Sequence, residues 1–141
     1  MQLSAALPLA TVEHIGSSSI PQAISKGDID VLVAVAQADF AQALAALVAL
    51  GYEEKNDTLR TPQLCMLVSP RADIDLAIQL IERGSKFEFF LTFRDALRAD
   101  PDLVAQYNQI KRCANNSADY RLAKSSFIDE VLRRANKRAS V

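Results

Sequence analysis

The chain has only two cysteines, a single histidine and almost no net charge. Each scarcity removes a class of explanation. Cys65 and Cys113 are isolated and far apart, too few for a disulfide framework in a chain of 141 residues. Both are expected to be reduced thiols, buried or half-buried, in a cytoplasmic protein. Sixteen Lys and Arg against seventeen Asp and Glu leave a formal charge of −1, which removes any general electrostatic argument for nucleic acid as the partner. No apolar run approaches the length of a membrane span. Residues 1–10 are mildly apolar but lack a basic segment and a long apolar core, so they do not read as a signal peptide. There is no internal repeat and no linker long enough to separate two domains. Half of the residues are hydrophobic, enough for one core, and one domain over 1–141 is expected.

What is present concentrates in residues 12–35. Val12 and Ile15 flank His14 at the end of an apolar run, Gly16-Ser17-Ser18-Ser19 is a turn by composition, and Asp28-Ile29-Asp30 opens the β-branched run Val31–Val35. In a strand, residues two apart share a face, so Asp28 and Asp30 project together. Two carboxylates that close repel unless a proton or cation lies between them. A hard divalent cation such as Mg2+ suits them, and the Gly16-Ser17 bend offers N–H groups and hydroxyls to phosphate oxygens. Carboxylates for a metal beside a phosphate cradle are the parts of a phosphoryl or nucleotidyl transfer site.

The remaining pattern predicts a helix over 39–50 with Asp39 as its cap and Gly51 as its stop. A short strand at 52–54 and a compact apolar strand at 64–68 follow. Residues 73–81 alternate as in a half-buried strand, forming an antiparallel hairpin with 64–68. From Gly84-Ser85 onward the chain reads helical. Asp100-Pro101 starts one helix and Asn115-Asn116-Ser117 forms the turn before the last. The expected class is α+β, a mixed or antiparallel sheet with helices packed on one face and a helical C-terminal half.

Gly16-Ser17, a gap of ten residues, and then Asp28-Ile29-Asp30-Val31 resemble the nucleotidyltransferase superfamily signature. His14-Ile15-Gly16-Ser17-Ser18-Ser19-Ile20-Pro21 with Lys26 and Asp28, then Phe93-Arg94-Asp95-Ala96-Leu97-Arg98, then Tyr107, Lys111, Tyr120, Lys124 and Phe127-Ile128, resemble the GrpB family over roughly residues 12–132. The resemblance implies a nucleotidyltransferase-like fold and a third carboxylate on a neighbouring strand. Asp73 and Asp75 are the candidates, with Asp75 favoured as the deeper. GrpB-like chains often carry His-x-His there, so Asp73-Ile74-Asp75 is a departure. They also carry an additional strand and helix before the His-Ile-Gly-Ser block, so this chain is expected to be shortened, with an edge that a second subunit could cover in a homodimer. Such domains are sometimes fused to dephospho-coenzyme A kinase.

The expected set is therefore Asp28, Asp30 and Asp75 as catalytic and metal-binding carboxylates, with His14 as an acid/base or, equally, a hydrogen-bonded strand-end histidine. Gly16, Ser17, Ser18, Lys26, Arg94 and Lys124 are expected to meet a nucleotide triphosphate or another phosphorylated small molecule. The plainer alternatives are a polar turn for the serines, and surface ion pairs for Lys26 and for Arg94 with Asp95. Phe87, Phe89, Phe90 and Phe93 read as core, with a base-stacking platform as the alternative. The reaction expected is Mg2+-dependent transfer of a nucleoside monophosphate. The alternatives are a nucleotide or coenzyme-precursor binding module without turnover, and a metal-dependent phosphohydrolase.

Overall fold

The computed structural model describes residues 7–25, 27–71, 73–113 and 117–139. Five strands are present, β1 (Thr11–Ile15), β2 (Ile29–Val35), β3 (Glu53–Glu54), β4 (Leu64–Val68) and β5 (Leu76–Glu82). They form one sheet in the order β1-β2-β5-β4-β3. β2 and β5 run parallel, and the other neighbours pair antiparallel, so the sheet is mixed. Four α-helices accompany it: α1 (Phe40–Ala49), α2 (Phe89–Ala99), α3 (Pro101–Arg112) and α4 (Ser117–Ala139). The α+β class with a mixed sheet and a helical C-terminal half is as expected.

The helices, expected on one face, occupy both. Val31, Val33, Leu67, Ile78 and Leu80 pack with Phe40, Ala43 and Leu47 of α1. Their strand neighbours Leu32, Ala34 and Ile81 pack on the opposite face with Ile15, Phe87, Phe90 and Leu91. A strand covered on both sides has no polar face to spare. Hence Val31–Val35 and Ile78–Ile81 are buried without a break, where 73–81 had suggested alternation. The hairpin of β4 and β5 forms as expected, but β5 starts at Leu76 rather than at 73. Arg71 bonds Asp73 at 2.9 Å and Ile74 N–H donates to the Arg71 carbonyl, which keeps Asp73 out of the strand.

Gly51 ends α1 at φ 104°. Asp39 stands at the N-cap position of α1 but makes no side-chain cap bond, because a 3-10 turn at Gln37–Asp39 leads the chain in. Asp100 does cap, accepting from Asp102 N–H with Pro101 in the first turn of α3. Of the turn expected at 115–117, residues 115 and 116 lie outside the described residues. Cys65 is buried and donates to Glu54, and burial pushes its thiol up to about 11; Cys113 is exposed rather than half-buried. A third apolar cluster ties Ile20, in the β1–β2 connection, to Leu97, Leu103, Val104, Tyr107 and Val131 of the three C-terminal helices. That cluster seats the connection against the helical layer.

Candidate functional site

The acidic groups gather where β2 and β5 begin. Asp28 precedes β2, Asp30 is its second residue, and Asp75 directly precedes β5. The strands are parallel with Ile29 opposite Leu76, and Ile29 N–H donates to the Asp75 carbonyl at 2.8 Å. Asp30 sits opposite Ile15 and Ala77 in the register, on the face shared with Leu32 and Gln79. That face looks toward α2, α3 and α4, and the carboxylates therefore point into the angle between sheet and helices.

The serine bend meets them there. Gly16 has φ 77° and ψ −179°, a region closed to residues with a side chain. A Cβ on Gly16 would fall 2.4 Å from Asp30 Oδ2. The missing side chain is thus a requirement of close approach between bend and carboxylate. Ser17–Ser19 continues as a 3-10 turn, tied back by Ser19 N–H and Ser19 Oγ donating to the Gly16 carbonyl at 3.0 and 2.6 Å. Three side chains from the helices hold the connection down. Arg98 Nε donates to the Ser19 carbonyl at 3.0 Å, Asn108 brackets Gln22 and Ile24 with both amide atoms, and Lys111 Nζ bonds Ser17 Oγ and the Ile24 carbonyl.

Together these elements enclose a cleft of about 500 Å³. Gly16, Ser17, Asp28 and Asp30 form one wall, and Tyr107, Lys111, Tyr120 and Lys124 the other. The Lys111 ammonium lies 4.2 Å from the Tyr107 ring centre and Lys124 5.7 Å from that of Tyr120. Burial first, then the charges of Asp28 and Asp75, raises the Asp30 carboxyl above the ordinary carboxylate range, while Lys124 and His14 pull it down. An acid crowded by two like charges with cations opposite is suited to accepting a cation at its carboxylates and an anion at its lysines. Among the described residues, no group of three or more His, Cys, Asp or Glu is already arranged to hold a metal ion.

The structure brings Gly16, Ser17, Asp28, Asp30 and Lys124 to one cleft and puts Asp75 within electrostatic reach. Asp73 is turned to Arg71 in an exposed ion pair, and of the two it is Asp75 whose charge acts on Asp30. Ser18 and His14 belong elsewhere. They bond each other at 2.8 Å, and His14 lies opposite Val31 on the sheet face away from Asp30. Arg94 is 7% exposed, and its three guanidinium nitrogens bond Glu13, the His14 carbonyl and Asp95, which spends the donors expected for substrate. Lys26 lies outside the described residues. Lys111 and Tyr120, whose helix faces were expected to supply a cationic wall, line the cleft, whereas Tyr107 was not singled out as a site residue; Lys111 and Tyr107 are one helical turn apart in α3, a spacing that puts both on one face. Gln79 was read as the polar side of an alternating strand, and a lone amide inside Ile78–Ile81 was the signal.

Comparison with known proteins bears on the family and the fold. Residues 1–134 match the protein family described as GrpB protein. A UPF0157 protein of Vibrio cholerae is 50% identical over 137 residues, which is 96% of this chain and 72% of that protein. The crystal structure of conserved protein GrpB from Enterococcus faecalis superposes with a TM-score of 0.77 at 24% identity, over 99% of this chain and 89% of that one. Cid1 poly(U) polymerase in a MgGTP-bound crystal structure superposes with a TM-score of 0.52 at 18% identity, over 77% of this chain and 36% of that one. The shared feature in these two structures is the fold, that of nucleotidyltransferases.

Proposed function

The chain belongs to the GrpB family, and from that premise we propose that the cleft binds a nucleoside triphosphate with Mg2+ and transfers its nucleoside monophosphate to an acceptor hydroxyl, with pyrophosphate as the leaving group. The observation that carries the reading is the contact between Gly16 and Asp30, where only a glycine lets the bend lie against the carboxylate. A bend at that distance brings phosphate oxygens and the Asp28–Asp30 pair to a common point. The MgGTP-bound neighbour lends support at the level of fold.

Hard oxygen donors fit Mg2+, and Asp28 and Asp30 would hold it, with phosphate oxygens completing the shell and Asp75 beside them. When bound, Mg2+ offsets charge on the phosphates and favours in-line displacement. The chain's own residues do the rest. Gly16 and Ser17 seat the phosphates, Lys111 and Lys124 balance their charge, and Asp75 takes the acceptor's proton in this reading. Arg94 clamps α2 to β1. His14 braces the bend through Ser18.

The test is thermal melting with each of the four ribonucleoside triphosphates, with and without Mg2+, on wild type and Asp30→Asn. A Mg2+-dependent rise that Asp30→Asn abolishes is expected, whereas identical shifts in both proteins would remove the metal site. A second reading is binding without turnover, favoured by the lack of a preformed three-carboxylate set among the described residues. Binding with no nucleotide transfer to any acceptor class and no pyrophosphate release would establish it. Release of inorganic phosphate instead would mark a phosphohydrolase.

A further inference from the structure

Beside the cleft lies a second cavity of about 210 Å³, lined by Phe89, Phe90, Phe93, Ile128, Arg94 and Gln79. Gly16, Asp30, Tyr107 and Lys124 border both cavities, so one ligand can span them. The new cavity is too small for a whole drug-sized molecule but suits one planar group. Its wall is aromatic. Phe89 and Phe90 meet edge to face with centres 4.4 Å apart, and Phe93 meets Tyr107 edge to face at 5.6 Å. Phe89 is 37% exposed, high for a phenylalanine that closes no core.

Gln79 is the unexplained group. It is 6% exposed, stands in the middle of β5 with buried apolar residues on both sides, and its Oε1 has no hydrogen-bond partner among the described residues. A buried amide oxygen without a donor is a cost the fold has not recovered. An apolar residue of similar volume would fill the position without penalty. A polar group kept there points to a partner that arrives from outside.

We propose that this cavity seats a flat nitrogen heterocycle, such as a nucleobase, which lies against Phe89 and Phe90 and draws the Gln79 amide out of its buried position to accept an N–H from the base. The proposal rests on the reading of the neighbouring cleft as the phosphate site. It adds that Gln79 reads the base edge. Aromatic stacking would accept any base, so discrimination among bases falls to the amide.

Calorimetric titration in Mg2+ tests this, using wild type and Gln79→Met with the four ribonucleoside triphosphates, inorganic tripolyphosphate and the four nucleosides. Wild type is expected to bind its preferred triphosphate at least about tenfold more tightly than tripolyphosphate. Gln79→Met should erase most of that preference, leave tripolyphosphate binding unchanged, and melt higher than wild type without ligand, since it removes the orphaned polar atom. Equal affinity of wild type for nucleotide and tripolyphosphate would overturn the base pocket while sparing the phosphate cleft. Nucleoside binding that depends on Gln79, with no binding of tripolyphosphate, would uphold the pocket and overturn the phosphate cleft. Unchanged nucleotide affinity in Gln79→Met, or a lower melting temperature, would also overturn the proposal.

Discussion

Asp30 keeps its proton to higher pH in the fold than in the unfolded chain, because burial and the charges of Asp28 and Asp75 disfavour its ionised form. The unfolded chain gives up that proton first as pH rises. Stability attributable to Asp30 therefore declines from the ordinary carboxylate range up to its folded pKa and stays level above it. Asp30→Asn removes the penalty. In metal-free buffer at pH 7 the variant is expected to melt above wild type, with the gap closing as pH falls through the carboxylate range. Equal melting at pH 7 would show that Asp30 is not under this strain. At Gly16, the positive φ and the 2.4 Å approach to Asp30 Oδ2 act together. Gly16→Ala should destabilise by about 1–3 kcal/mol, seen as a lower urea midpoint at unchanged slope.

Helix α2 is joined to the sheet by a buried cation. Arg94 links the helix to Glu13 and to the His14 carbonyl at 2.9 and 3.0 Å, and Arg98, one turn on, reaches the Ser19 carbonyl. Arg94→Met is expected to cost about 1.5–3 kcal/mol in urea unfolding, and Arg94→Lys should recover little, since an ammonium cannot reproduce the three-nitrogen fork. Full recovery by lysine would reduce Arg94 to a point charge. At this scale the sequence was most legible where punctuation was local. Gly51 ended α1 and Asp100-Pro101 began α3 where the residues indicated. Asp39 misled, because a favourable cap residue fell in a 3-10 entry turn. The face of His14 was legible in principle, since strand alternation sets it opposite Asp30, but only once β1 was known to run through Ile15.

For the molecule as a whole, the family blocks indicated the fold, and the bend-to-carboxylate spacing indicated where the cleft would form. Which helices cover which face was not legible, because it depends on contacts between distant segments such as Phe87 with Leu32. The same limit hid the role of Arg94. An arginine beside an aspartate looks alike whether it faces substrate or closes a seam, and only packing against β1 distinguishes them. Among the described residues, no helix is long and apolar enough to cross a membrane. The central claim is that one ion can join the strand-end carboxylates to phosphates resting on the glycine–serine bend. Crystals grown with Mn2+ and a non-hydrolysable nucleoside triphosphate test it most directly by anomalous scattering. A peak coordinated by Asp28 and Asp30, with the phosphates against Gly16 and Ser17, is predicted. A nucleotide bound elsewhere, or bound in the cleft with no peak at those carboxylates, would contradict it.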